Sequence, residues 1–348
     1  MSRLKDAETL LAAAEEWKQR CLLDGGCLFT ERALWTRSNF DELRTLYVEN
    51  LEDESSDKFL TKLKRQLGPG SPDAKCLWAE MMWVYLLIVR SSGMAPGTKR
   101  SGMAEVWAWS GQRFPKDHAL LDDTVLRAGV VNVGAAYHTL SWKEYRFFVT
   151  SMLAWFSLEP GVRRERLSQP WDFASWLDGT EFSENRMFRH ALLFLLFPDE
   201  FEPIVTGTGK SEIITYLHEG APVDTGDRVS VDRAILTIRR RLEPEYGKGF
   251  HFYLPPVSEL WKKADVEAWF RDRFSDAAHV WLMNVGAGRP NLWSAWLERG
   301  IATIGWGEVG DLRRGQKSIR DDLTSRGHGE NPSQRAFFEV VPVFWTGR

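Results

Sequence analysis

SPDAKCLWAEMMWVYLLIVR, residues 71–90, decides the fold class. Ser71 followed by Pro72 opens a helix, because proline is favoured in the first turn, where its missing N–H costs nothing. The apolar residues that follow, among them Trp78, Met82, Tyr85 and Leu86, fall on every side of that helix rather than along one stripe. Such a helix is buried all round and needs other helices to cover it. Its most apolar part, Leu77 to Val89, contains Glu80 and is too short to span a bilayer.

Working outward, helical signals recur on both sides. Leu10, Leu11, Ala14 and Trp17 give a helical spacing over Leu4 to Leu23, stopped by Gly25-Gly26. Ser38 is the expected N-cap of a helix through Leu43, Leu46 and Tyr47. Ser56 is expected to begin another, ended by Gly68-Pro69-Gly70. Further helices are predicted around Val106, over Ala119 to Ala128, Trp142 to Leu158, Ser183 to Phe197 (ending at Pro198), Glu212 to Leu217, and Asp224 to Leu242. No convincing strand alternation appears before Pro255-Pro256.

The texture then changes. Val257 to Phe274 reads as a charged connecting helix, followed by the compact apolar run VWLMNV (280–285) and Gly286-Ala287-Gly288, a strand and a loop. Asn291 caps a helix that Gly300 terminates, and IATIGWG (301–307) is a second strand. The expected fold class is therefore mainly α, with a large helical domain over residues 1–262, a connector over 263–277 and a small α/β module over 278–348, which is short for an independent domain.

Composition excludes several classes. With 348 residues, 17 Trp and 20 Phe, the chain has ample material for a core. The net charge is −3, with −4 before Lys263 and +1 from there on, so no global field draws it to nucleic acid, and any DNA contact must come from local patches. Cys21, Cys27 and Cys76 are an odd set without metal-ligand spacing, and reduced thiols in a cytoplasmic setting are the expectation. The charged N-terminus lacks an apolar signal core.

The motifs divide into decoys and candidates. GTGKS (207–211) invites a phosphate-loop reading, but the early glycine of that motif falls on Ile204, so a plain loop is preferred. Asp199, Glu200 and Glu202 lack the acidic-x-Lys element of a nuclease and are expected in a solvated turn. The seven histidines form no paired ligand spacing. Three basic clusters stand out, Arg163/Arg164/Arg166, Arg239/Arg240/Arg241 and Arg313/Arg314/Lys317/Arg320, each either a phosphate contact or a solvated helix face. Trp306, in the second strand of the small module, is either core or the wall of a base-stacking pocket.

These strings also carry a resemblance. NRMFRHALLFLLFPDEFEPIV (185–205), LFTERALWTRSNFDEL (28–43) and the WSG after Val106-Trp107-Ala108 resemble the helical N-terminal region of McrB-like AAA+ proteins. VWLMNVGAGRPNLWSAWLERGIATIGWGEVGDL (280–312) resembles the start of EVE-like modules, relatives of PUA and YTH domains. The resemblance implies a non-catalytic recognition and regulatory segment of a modification-dependent restriction system in anti-phage defence. Its implied partners are DNA, modified or not, an AAA+ motor and a nuclease subunit, with no membrane and no cofactor of its own. By the same resemblance Trp306 stacks a flipped base and Asn284 contacts nucleic acid; Arg313, Arg314 and Lys317 are the expected phosphate contacts. Further barrel strands and a motor would complete such a protein. The alternative is a helical protein-interaction scaffold with a vestigial DNA-reading module.

Overall fold

Ser71 does cap the buried helix: its hydroxyl accepts from the backbone N–H of Ala74, and Pro72 stands in the first turn. The computed structural model describes residues 7–51 and 57–262. The expected connector (263–277) and small module (278–348), with Asn284, Trp306, Arg313, Arg314 and Lys317, lie outside the described residues.

Fourteen α-helices are described. In chain order they are α1 (Glu8–Trp17), α2 (Arg37–Leu43), α3 (Phe59–Leu67), α4 (Pro72–Leu87) and α5 (Pro96–Ala108). Then follow α6 (Asp123–Arg127), α7 (Gly134–Thr139), α8 (Ser141–Phe156), α9 (Pro160–Leu167) and α10 (Pro170–Asp178). The last are α11 (Met187–Leu196), α12 (Gly207–Leu217), α13 (Arg228–Tyr246) and α14 (Val257–Trp261). Two of them, α1 and α2, run on into π-type turns over Lys18–Leu23 and Arg44–Val48. Among the described residues β pairing is confined to isolated bridges, Val89 with Val131 and Arg90 with Ala128.

Helix α4 is the axis of the larger apolar core. Every residue from Cys76 to Leu87 is buried, and α2 and α5 pack against it. Most of its polar side chains find partners, the Trp78 indole N–H being the exception: Trp83 Nε1 donates to Leu120 O at 2.8 Å, and Tyr85 stacks on Tyr137 at 4.3 Å while the two phenols donate to each other's backbone carbonyls. Lys99 of α5 is fully buried and donates to the carbonyls of Val89 and Leu126, tying the end of α4 to α6. Burial without a carboxylate partner pulls its ammonium down to about 8.

A second, smaller core is built by α12, α13 and the segment from Phe250 to Trp261, around Ile213, Ile235, Ile238, Phe252, Val257 and Trp261. Helix α13 is capped by Asp227, whose carboxylate accepts from Val229 N and Ser230 N, and is stopped at Gly247 with φ 79°.

Several expectations need correction. The cap of α2 is Thr36, in extended backbone and accepting from Asn39 N; Ser38 sits inside the first turn and bonds to Thr36 Oγ1. The segment 119–128 is a 3₁₀ turn (Ala119–Leu121) followed by α6, not one helix. The connecting helix breaks at Lys262, whose ψ of 120° is extended, so within the described residues only Val257–Trp261 is helical. Helices α9 and α10 were not expected. Each opens on a proline, Pro160 and Pro170, which reads as turn punctuation unless its first-turn role is considered.

Candidate functional site

Helices α10 to α13 bring five charged side chains into one buried cluster between the two cores. Arg189, in the middle of the apolar α11, is completely buried. Its guanidinium grips Asp178 at the end of α10 with two parallel bonds, Nε and Nη2 each 2.8 Å from a carboxylate oxygen. Its remaining Nη1 reaches Asp232 of α13 and lies 3.2 Å from His190 Nδ1. Lys210 of α12 donates to the other oxygen of Asp232 and, at 2.8 Å, to the same His190 nitrogen. Arg228 closes the rim, pairing with Asp178 at 3.3 Å and donating to the carbonyls of Asp178 and Ser183.

Burial opposes every charge here, and the partners decide the outcome. Asp232 would be raised by burial, but Lys210 and Arg189 outweigh it and hold the carboxyl below its usual range. Burial lowers Arg189, yet Asp232 and Asp178 more than restore it. Lys210 shares its carboxylate with Arg189, so burial wins and its ammonium is pulled down. His190 is driven well below its ordinary value by burial and by Lys210, Arg189 and Arg228. Because Nδ1 accepts from these cations, the imidazole is neutral with its proton on Nε2.

A second buried pair lies beside it. Arg239 of α13 clamps both oxygens of Glu202, donates to the carbonyls of Phe250 and Lys248, and lies over the Phe250 ring at 3.9 Å. Two expectations fall with it. Glu202 is not in a solvated turn, being 3% exposed, and Arg239 is no solvated helix face; of its cluster only Arg240 and Arg241 point outward.

The GTGKS string is not a loop either. It forms the first turns of α12, with Thr206 as N-cap accepting from Gly209 N. Lys210 is 1% exposed and committed to Asp232 and His190, so it faces the interior rather than a bound phosphate. Gly209 is glycine for a packing reason: a Cβ there would stand 2.0 Å from the Tyr253 hydroxyl oxygen and 2.8 Å from Thr206 Oγ1.

The arrangement can hold four helices in register; Arg189, Lys210 and Asp232 at its centre are closed off from solvent, and its polar atoms are spent on one another. The sequence signal for it was present but faint. Arg189 and His190 interrupt an apolar run, and Asp232 and Arg239 fall on the stripe Val231, Ile235, Ile238, Leu242 that α13 buries. Among the described residues no group of three or more His, Cys, Asp or Glu side chains is placed to hold a metal ion. All three cysteines are buried and unpaired with one another. No described helix is long and apolar enough to cross a membrane. No family model, curated protein or solved structure matches the chain.

Proposed function

We propose that the chain is a DNA-recognition and regulatory segment of a modification-dependent restriction system, with motor and nuclease activities carried by other parts or partners. The observation that carries the reading is the position of residues 185–205. This run resembles the McrB-like helical region, and it forms α11 and the junction where both apolar cores meet. The likeness therefore falls on the framework of the fold. Base reading is assigned to Trp306, with Asn284, Arg313, Arg314 and Lys317 as nucleic-acid contacts.

The test is an anisotropy titration of the full chain with labelled duplexes carrying 5-methylcytosine, N6-methyladenine or no modification, at two salt concentrations. The expected result is about a tenfold preference for one modified duplex, roughly 1.4 kcal/mol, lost in Trp306→Ala. Equal affinity for all three duplexes sinks modified-base recognition.

A scaffold reading is favoured by one observation. Tyr216, Leu254 and Leu260, all from the part of the chain that builds the smaller core, are 49%, 44% and 41% exposed. Large apolar side chains left in water suit a protein contact. A stable complex recovered together with indifferent DNA affinity would put this reading first.

A further inference from the structure

Many solvent-facing arginines of the described chain are already neutralised. Arg37, Arg44, Arg65, Arg100, Arg127 and Arg241 each face a carboxylate. Of those without a carboxylate partner, Arg113 follows α5, while five others lie on or beside one pair of helices. Arg164 and Arg166 of α9 and Arg233 and Arg240 of α13 have none among the described residues, and Arg163 bonds only the Leu22 carbonyl.

These helices are neighbours. Helix α10 packs against both α9 and α13 and supplies two half-exposed tryptophans, Trp171 and Trp176. Arg233 lies over the Trp171 ring at 4.2 Å, Arg166 over Trp176 at 5.5 Å, and Arg163 over Phe156 at 5.0 Å. Arg233 and Arg240 are seven residues apart, which puts both on one side of α13 at a separation of about 10 Å. Five arginines share the face with four carboxylates, Asp24, Glu159, Glu165 and Asp172, none of which comes within ion-pair distance of them.

We infer that the α9–α10–α13 face is a docking surface for the phosphate backbone of duplex DNA. A guanidinium lying over an indole is partly desolvated, while the N–H donors it turns toward solvent stay free; for Arg163 and Arg166 these are the terminal Nη groups, since their Nε atoms are buried. That is the geometry phosphate oxygens accept, and an anion with regularly spaced charges satisfies several such forks together. The contact is sequence-independent, so it supplies register and affinity while any base reading lies elsewhere. The inference rests on the reading of the chain as a DNA-binding protein.

The experiment compares three full-length proteins in the same duplex titration over a salt series: the parent, Arg164→Gln/Arg233→Gln/Arg240→Gln, and the control Arg37→Gln/Arg65→Gln/Arg127→Gln. Melting temperatures of all three are measured first, to show that each folds. The face variant is expected to lose at least about tenfold in affinity for modified and unmodified duplexes alike. Its slope of log affinity against log salt should be shallower by about 0.9 per phosphate contact removed. The control, whose arginines are already paired, is expected to match the parent. A face variant that binds like the parent, or a control that loses as much, overturns the inference and leaves the restriction reading standing. A parent with no affinity for any duplex overturns both. Loss of binding to phosphatidylserine vesicles with duplex binding intact would assign the face to an anionic membrane and overturn the DNA assignment.

Discussion

Gly209 lies directly beneath the hydroxyl of Tyr253, so close that a methyl group on the glycine would stand 2.0 Å from the phenol oxygen. Tyr253 also bonds the Thr206 side chain that caps α12. The glycine thus keeps the start of α12 and the 250–261 segment of the smaller core in contact.

Gly209→Ala is therefore expected to destabilise by about 1 kcal/mol. Alanine gains up to about 1 kcal/mol of helix propensity, but displacing Thr206 and Tyr253 forfeits a cap worth about 0.5–2 kcal/mol and their mutual bond. Gly207→Ala, with nothing within 4 Å, should be neutral or stabilising. Urea unfolding of both, and of Gly209→Ala in a Tyr253→Phe background, gives the answer. A Gly209→Ala protein as stable as the parent, or one not improved by removing the hydroxyl, removes the packing explanation.

The buried ionic cluster predicts an order among substitutions. Asp232→Ala leaves Arg189 and Lys210 facing each other in the interior without their shared carboxylate, and is expected to cost about 3–5 kcal/mol. Lys210→Met removes one cation while Arg189 still neutralises Asp232, so its cost should be smaller, about 1–3 kcal/mol. Denaturant midpoints that reverse this order would show that the lysine, not the carboxylate, organises the junction. Because Lys210 faces inward, millimolar ATP or GTP is expected to leave the melting temperature unchanged. A nucleotide-dependent rise would restore the phosphate-loop reading.

How much of this was legible follows from individual residues. Helix α4 was readable because Ser71 and Pro72 mark its start locally and its apolar residues leave no exposed side. Helices α9 and α10 were missed because Pro160 and Pro170 signal a helix start and a turn equally well. The junction was missed for a different reason. A lone Asp on a helix is most often a surface residue, and the partners that reverse this, Arg189 and Lys210, are 43 and 22 positions away. Long-range pairing of this kind leaves only an oddity in the pattern: a charge on an otherwise apolar stripe.

His190 makes the junction sensitive to acid. Lys210, Arg189 and Arg228 crowd it, Asp232 is already shared, and its folded form is held neutral. His251, buried near Arg90, Arg239 and Lys262, is likewise pulled down to about 4. In both cases the unfolded chain takes up the proton first, at its ordinary value near 6.5. Stability is then complete above about pH 6.5 and declines as pH falls below it, each such histidine contributing a slope of about 1.4 kcal/mol per pH unit. Glu80 and Glu144, raised by burial, act oppositely at the acid end, so the informative quantity is a difference. His190→Gln should flatten the decline between pH 7 and 5 relative to the parent. Parallel curves would mean that His190 does not titrate with unfolding.

Glu80 offers the sharpest test of how the larger core is held. One of its oxygens accepts from Cys27 Sγ, Leu28 N and Phe29 N at 2.7, 2.8 and 3.2 Å, and the other from Trp35 Nε1 at 2.7 Å. A single side chain of α4 thereby satisfies both ends of the loop between α1 and α2. Burial raises the carboxyl, while these four donors pull the other way by favouring its charged form. Glu80→Ala strands all four donors and should cost more than about 4 kcal/mol, since each buried orphan costs about 1–3 kcal/mol. Glu80→Gln keeps the shape but turns an N–H2 toward one donor, and the oxygen with three partners is the one worth preserving. The amide should then face Trp35, at a cost of about 1–3 kcal/mol. Trp35→Phe removes that opposing donor, so in its background Glu80→Gln should cost less than it does alone. Thermal or urea unfolding of the four proteins in this cycle measures the coupling, and strict additivity would show that Glu80 does not hold Trp35.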